Sequence, residues 1–231
     1  MAKKPRSPSR RPGQSQDPDD AFLAKVLELT TWARKNRQTL IVAGVVAILL
    51  VVGGLYYWNL RVTEAREAAQ ELERLQQVVA MSEPQEGKAE LRGFLERYGG
   101  TRFAHEARLS LAELHLLDGE VSDAIDVLDP SRRDLGDPVA VQGAYLLAIA
   151  YEEAGRWRDA EELYLELVDR VDLGFQRREA LEGAARSRVE RDDVDGALEL
   201  YGQILDELED DDPRRSRFEL KMAELEARTQ S

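Results

Sequence analysis

The chain has 231 residues, no cysteine, two histidines and a net charge of −13 from 45 acidic and 32 basic side chains. Without cysteine it can form neither a disulfide staple nor a thiolate metal site. Its acidic balance argues against nucleic acid as a partner, because phosphates need Lys and Arg contacts.

Residues 1–18, MAKKPRSPSRRPGQSQDP, are Pro, Ser, Arg and Lys with almost nothing to bury, which predicts a disordered basic tail. A solvated tail on the cytoplasmic side is the simpler reading; contact with anionic lipid or nucleic acid is the alternative. Over 19–38, Asp19 and Asp20 suit an N-cap. Phe22, Val26, Leu29 and Trp32 recur at helical spacing, with Leu23 and Leu27 beside them. This segment reads as a short amphipathic helix on the inner membrane surface, or as a plain extension of the helix that follows.

From Leu40 to Trp58 there are 19 uncharged residues, eleven of them Leu, Ile or Val. At about 1.5 Å per residue they reach roughly 28 Å, close to the ~30 Å hydrocarbon core of a bilayer. Tyr56, Tyr57 and Trp58 close the run as an aromatic belt does. The expectation is one transmembrane helix over 39–59. A buried core helix would carry a polar stripe or be shorter. A cleaved signal peptide would have a shorter leader, a core of about 7–15 residues and a small-residue cleavage site. Here 39 residues precede the run and YYWNLRVTEA follows it, so the run reads as an uncleaved signal anchor. Nine basic and four acidic residues precede Leu40, a net +5 that leaves −18 on the remainder of the chain. Arg34, Lys35 and Arg37 abut the run, so the positive-inside rule predicts a cytoplasmic N-terminus and an exported C-terminal part. That part, 60–231, contains only two lysines, Lys88 and Lys221.

Beyond Trp58 strand signals are missing, and Gly, Pro and Asp breaks separate segments of helical length. The breaks include Ser82-Glu83-Pro84, Tyr98-Gly99-Gly100, Asp118-Gly119, Asp129-Pro130, Ala154-Gly155, Leu173-Gly174 and Asp192-Asp193. AYLLAIAYEEAGRWRDAEELY, 144–164, overlies RLSLAELHLLDGEVSDAIDVL when shifted back 36 positions and LEGAARSRVERDDVDGALELY when shifted forward 37. Ala112, Ala148 and Ala185 fall together, as do Ala124, Ala160 and Ala197. Small residues there let two antiparallel helices approach closely. Gly119, Gly155 and Asp192 occupy the turn, where Gly, or failing that Asp, accepts left-handed backbone. Leu128, Tyr164 and Tyr201 supply the bulk between neighbouring hairpins. One hairpin cannot bury its own apolar face, whereas a stack can.

This pattern resembles the tetratricopeptide repeat and implies an all-α chain: one N-terminal transmembrane helix followed by an α-solenoid. Repeats are expected at about 105–138, 141–174 and 178–210, with a capping helix over 214–229. A degenerate earlier hairpin from Arg61 to Tyr98 would place Ala89 in the small-residue position. The middle copy matches best, through Ala148, Tyr151, Gly155, Ala160 and Tyr164, although Ala144 replaces the usual Trp. His115 and Arg188 stand where an aromatic residue is usual. A narrower resemblance covers most of the chain. A basic N-terminus, a single anchor and GKAELRGFLERYGGTRFAHEARLSLAEL ahead of the repeats are similar to the bacterial ancillary Sec-translocon subunit family. That resemblance implies three kinds of protein partner: translocation channel subunits, a membrane-anchored periplasmic chaperone of the peptidyl-prolyl isomerase class, and exported polypeptides.

Catalytic and metal signatures are lacking, so the expectation is a non-enzymatic protein without a cofactor. His105-Glu106 has no second His four residues on, and both histidines suit helix packing better than ligation. Gly53-Gly54 and Gly99-Gly100 are not phosphate loops. In DDVDGALELYGQ the register that places Gly196 sixth puts Gly202 where a calcium loop needs Glu. The run Glu209, Asp210, Asp211, Asp212 reads as a solvated helix end rather than a cation site. In this repeat class the second, fifth, ninth and twelfth positions of each first helix face the concave groove. The resemblance therefore nominates Glu106, Leu109, Glu113 and Leu116, then Gln142, Tyr145, Ile149 and Glu152, then Glu179, Glu182, Arg186 and Val189. Apolar anchors among carboxylates suit a protein segment of basic character; some of these residues could instead pack between hairpins. The repeat pattern supports a protein-binding scaffold, and the translocon-family resemblance implies that it assists chaperone docking and protein translocation at the inner membrane of a bacterium. The alternative is an assembly factor for another envelope machine, such as division or outer-membrane biogenesis.

Overall fold

A computed structural model of the protein describes Trp32 and residues 35–229. The expected tail, 1–18, and most of the expected juxtamembrane helix, 19–38, lie outside the described residues. The chain divides into two compact units, Met1–Leu60 and Arg61–Ser231.

The first described helix, α1, runs from Arg37 to Met81. Within the first unit its apolar side chains are exposed; Leu50 is 72 % accessible and Trp58 66 %. Among the described residues α1 is the one helix long and apolar enough to cross a membrane. Placing so many Leu, Ile and Val side chains in water is unfavourable, by about 1.5–3 kcal/mol for each large one left unburied.

The second unit is an α-solenoid. After α1 come α2 (Pro84–Tyr98), α3 (Ala104–Leu117) and α4 (Val121–Leu128), with a 3-10 turn over Asp129–Arg133. They are followed by α5 (Pro138–Glu153), α6 (Trp157–Val168), α7 (Gly174–Val189), α8 (Val194–Asp206) and α9 (Arg215–Thr229). From α2 onward, successive helices pack on one another, and α3 also touches α5. The core is continuous from α3 to α9. A second cluster gathers Ala68, Leu72 and Leu75 of α1 with Leu91, Phe94 and Tyr98 of α2 and Leu111 of α3.

Helix starts follow capping chemistry. The Asp137 carboxylate accepts from the Val139 and Ala140 amides at 2.8 and 3.2 Å, with Pro138 at the first helical position. Asp193 accepts from the Gly196 amide at 3.1 Å. The three hairpin turns share one design. Gly119 (φ +75°), Gly155 (φ +69°) and Asp192 (φ +61°) are left-handed. The next amide in each case, from Glu120, Arg156 or Asp193, donates back to the carbonyl of His115, Tyr151 or Arg188 at 2.8–2.9 Å. This six-to-one closure is a Schellman cap.

The six repeat alanines, 112, 124, 148, 160, 185 and 197, have no accessible surface. In the earliest pair, however, Ala89 is exposed. The small-residue position belongs instead to Gly87, which is buried against Val79 and Leu114. Gly87 stands three residues after the start of α2, as Ala124, Ala160 and Ala197 do in α4, α6 and α8. The turn before α2 is only Ser82-Glu83 and carries no left-handed residue, which shifts the register.

Candidate functional site: a concave groove

The second helix of each hairpin sets the spacing along the stack. Tyr164 of α6 is 1 % accessible and reaches α7 at Gly183, where an added Cβ would lie 2.5 Å from the ring carbon Cζ. Tyr201 of α8 meets Phe218 of α9 with ring centroids 6.2 Å apart. On the other side of the stack α3, α5 and α7 each contribute to the lining of one groove.

Six of the twelve nominated side chains line a single groove of about 330 Å³ across those helices: Leu109, Glu113, Gln142, Tyr145, Ile149 and Glu179. The groove also takes Leu146, Phe175 and Gln176, which the repeat register did not nominate. Its lining contains two carboxylates and no Lys or Arg. The Tyr145 hydroxyl is not available to a ligand as a donor, because it donates to the Gln176 carbonyl at 2.6 Å. Burial, with the Glu179 charge beside it, holds that phenol well above its ordinary pKa.

The other nominated residues lie elsewhere. Glu152, Arg186 and Val189 border a larger cavity of about 510 Å³ with Trp157, Tyr201 and Leu225. Glu152 is held by Arg186 at 3.2 Å. Glu182 is held by Arg217 at 2.6 Å and Lys221 at 3.0 Å, and borders a third cavity of about 280 Å³. Glu106 accepts from Gln76 Nε2 at 2.6 Å, and Leu116 packs on the solenoid core.

Phe175 lines both the first and the third cavity and is 58 % accessible. The two residues that follow it are tied down. The Tyr145 hydroxyl holds Gln176. Arg177 Nη1 donates to the Val168 carbonyl at 2.8 Å, and its Nε pairs with Glu207 at 2.6 Å. Counting repeats from Arg178 hid Phe175, because α7 begins a turn earlier, at Gly174.

The histidines have packing roles. Lys88, fully inaccessible, donates to Asp118 at 2.5 Å and Glu120 at 2.6 Å. Burial pulls the Lys88 ammonium down, but the hydrogen bonds and charges of those two carboxylates outweigh it and raise its pKa. The Lys88 and His115 hydrogen bonds lower the pKa of Glu120. Arg92 can only donate, so His115 Nε2 accepts at 3.2 Å and the ring donates from Nδ1 to Glu120 at 2.6 Å. His115, Glu120 and Asp123 converge closely enough to suggest a metal triad, but the Lys88 ammonium already sits on the shared Glu120 oxygen. His105 Nε2 faces Asp134 at 3.2 Å.

The domain is a tetratricopeptide-like solenoid. The tetratricopeptide repeat-like domain family matches residues 30–137, and the tetratricopeptide repeat family matches 144–179. Among solved structures the solenoid is similar to a Podosopora anserina "putative kinesin light chain" with nearly identical tetratricopeptide-like repeats. The TM-score is 0.56 at 20 % identity, over 72 % of this chain and 89 % of that one. A single-substitution variant of the same protein aligns at TM-score 0.56 and 20 % identity, over 72 % and 88 % of the two chains. At that identity the likeness concerns fold alone. No curated protein matches the chain.

Proposed function

We propose that this protein is a non-enzymatic scaffold, held in a bacterial inner membrane by Leu40–Trp58, whose solenoid binds protein partners on the exported side. The observation that carries this reading is a groove lined by apolar side chains and two carboxylates, in a chain with one exposed span-length apolar helix among the described residues. Tetratricopeptide-like domains mediate protein–protein contacts, and a groove of packed helices presents a stiff docking surface that loses little entropy on binding. The charge asymmetry across the apolar run supports a cytoplasmic N-terminus. The finer reading places the scaffold beside the translocation channel, where it docks a membrane-anchored periplasmic chaperone and meets emerging polypeptides. The family resemblance supports that reading.

Two experiments test the two levels. Protease added to spheroplasts should degrade the solenoid and spare it in intact cells; a solenoid that survives while periplasmic controls are cut would overturn the topology. Photo-crosslinkers at Val45 and Leu49 should give adducts with channel subunits in native membranes. Adducts confined to division or outer-membrane assembly proteins would place the scaffold on another envelope machine.

A further inference from the structure

We infer that the groove centred on Phe175 takes a basic, apolar polypeptide segment: a Leu- or Phe-type side chain seated against Phe175 and Ile149, with Lys or Arg neighbours over Glu113 and Glu179. The inference rests on the scaffold reading and names the chemistry of the partner.

Three independent features point to it. The first is an unusual exposed aromatic residue. Phe175 is 58 % accessible beside Ile149 at 38 %, although the helix turn that carries Phe175 is pinned by Tyr145, Val168 and Glu207. An exposed aromatic between two cavities, on a helix turn whose backbone is tethered, has the character of an interface anchor, since little backbone ordering remains to be done on binding. The second is charge. Of the other nominated carboxylates, Glu152 pairs with Arg186 and Glu182 with Arg217 and Lys221, while Glu106 accepts from the neutral Gln76 amide. The groove lining itself holds Glu113 and Glu179 and no Lys or Arg; Glu179 stands at the border with the third cavity, where the arginines lie, so Glu113 is the carboxylate farther from them. A ligand that brings its own cation gains there, whereas one that brings a carboxylate meets repulsion. The third is the far side of Phe175. That cavity carries Arg178, Arg214 and Arg217 beside Glu179 and Glu182, so the basic part of a segment is directed away from it, toward Glu113 on α3. Electrostatics thus select both the composition of the segment and the direction in which it lies.

The test uses the full chain in phosphatidylcholine nanodiscs, with empty nanodiscs as the partition control. The probe is a fluorescein-labelled dodecapeptide of Gly and Ser carrying a central Leu-Phe pair flanked by two Lys on each side. Its counterpart has Glu for every Lys. By anisotropy at low salt the Lys peptide should bind at least about tenfold more tightly than the Glu peptide. Phe175→Ala should weaken binding about tenfold or more at every salt concentration, as loss of an anchor does. Glu113→Gln with Glu179→Gln should weaken it by about tenfold at low salt, with the effect vanishing near 0.5 M NaCl. All three positions are exposed, and unchanged thermal melting would confirm intact folding. Failure of the Lys peptide to bind, equal binding of the two peptides, or an inert Phe175→Ala would overturn the inference. To separate that outcome from failure of the scaffold reading, a photo-crosslinker is placed at Phe175 and, on a different surface, at Arg158 in cells. Protein adducts from Arg158 without any from Phe175 leave the scaffold standing and remove the groove as its docking site.

Discussion

Asp192 is the one described non-glycine residue with positive φ, at 61°, and it performs the turn that Gly119 and Gly155 perform in the other two repeats. Left-handed backbone costs an ordinary L-residue about 1–2 kcal/mol, and Asp rather less. Asp192→Gly should therefore raise stability by about 0.5 kcal/mol, and Gly155→Ala should lower it by about 1 kcal/mol, both read from the urea midpoint of the intact protein. This pair of turns was legible in the sequence, because the repeat alignment put Asp192 opposite the glycines. The residues just inside the turn were legible only as positions. His115 hydrogen-bonds Glu120, Tyr151 lies 4.4 Å beneath the Arg156 guanidinium, and Arg188 reaches Glu161 at 2.7 Å. Three unlike side chains satisfy one pocket, each through its own partner, so no residue type signalled it.

At the scale of helices, spacing rests on matched bulk and absence of bulk. Tyr164 on α6 fits only because Gly183 on α7 has no side chain. Gly183→Ala should cost about 1–3 kcal/mol by overpacking, and Tyr164→Ala about 3–5 kcal/mol by leaving a void. Together they should cost clearly less than the sum, since the alanine methyl enters the space the ring vacates; additive denaturation energies would show that the contact does not set the spacing. The hairpins are legible from the periodic alanines alone, because close helix approach demands them at a constant interval. The degenerate first pair was misread at Ala89 for the complementary reason: its two-residue turn offers no left-handed marker from which to count to Gly87. The groove was half legible. Positions on α3 and α5 followed from the repeat register, whereas Phe175 sits in an added first turn of α7 that the register omits.

Across the whole solenoid, partners about one repeat apart in sequence are tied by ion pairs, among them Arg132 to Glu162 and Glu166, Arg177 to Glu207, and Arg188 to Glu161. The more exposed of these, such as Arg132 with Glu162, each contribute little, roughly 0–1 kcal/mol, so the apolar stack sets the stability and the pairs bias which faces meet. The Lys88 junction differs, because its ammonium has no access to water. Glu120 has its carboxyl pKa lowered on folding, so its contribution is complete above the unfolded value of about 4.3 and is lost as pH falls through the folded value. Lys88 has its pKa raised, so its contribution holds below about 10.4 and fades only above that. On acidification, hydrogen-exchange protection should disappear from 61–98 at higher pH than from 138–206; simultaneous loss would mean that the junction is no weaker than the stack. The same burial has a practical side for anyone mapping this protein in its native setting. Beyond the apolar run its two amines are Lys88, sealed inside, and Lys221, engaged with Glu182. Succinimidyl reagents, the usual first choice for tagging neighbours in cells, find a single accessible amine on this surface, Lys221. Carbodiimide coupling at its abundant carboxylates is the chemistry that will report which molecules stand beside it.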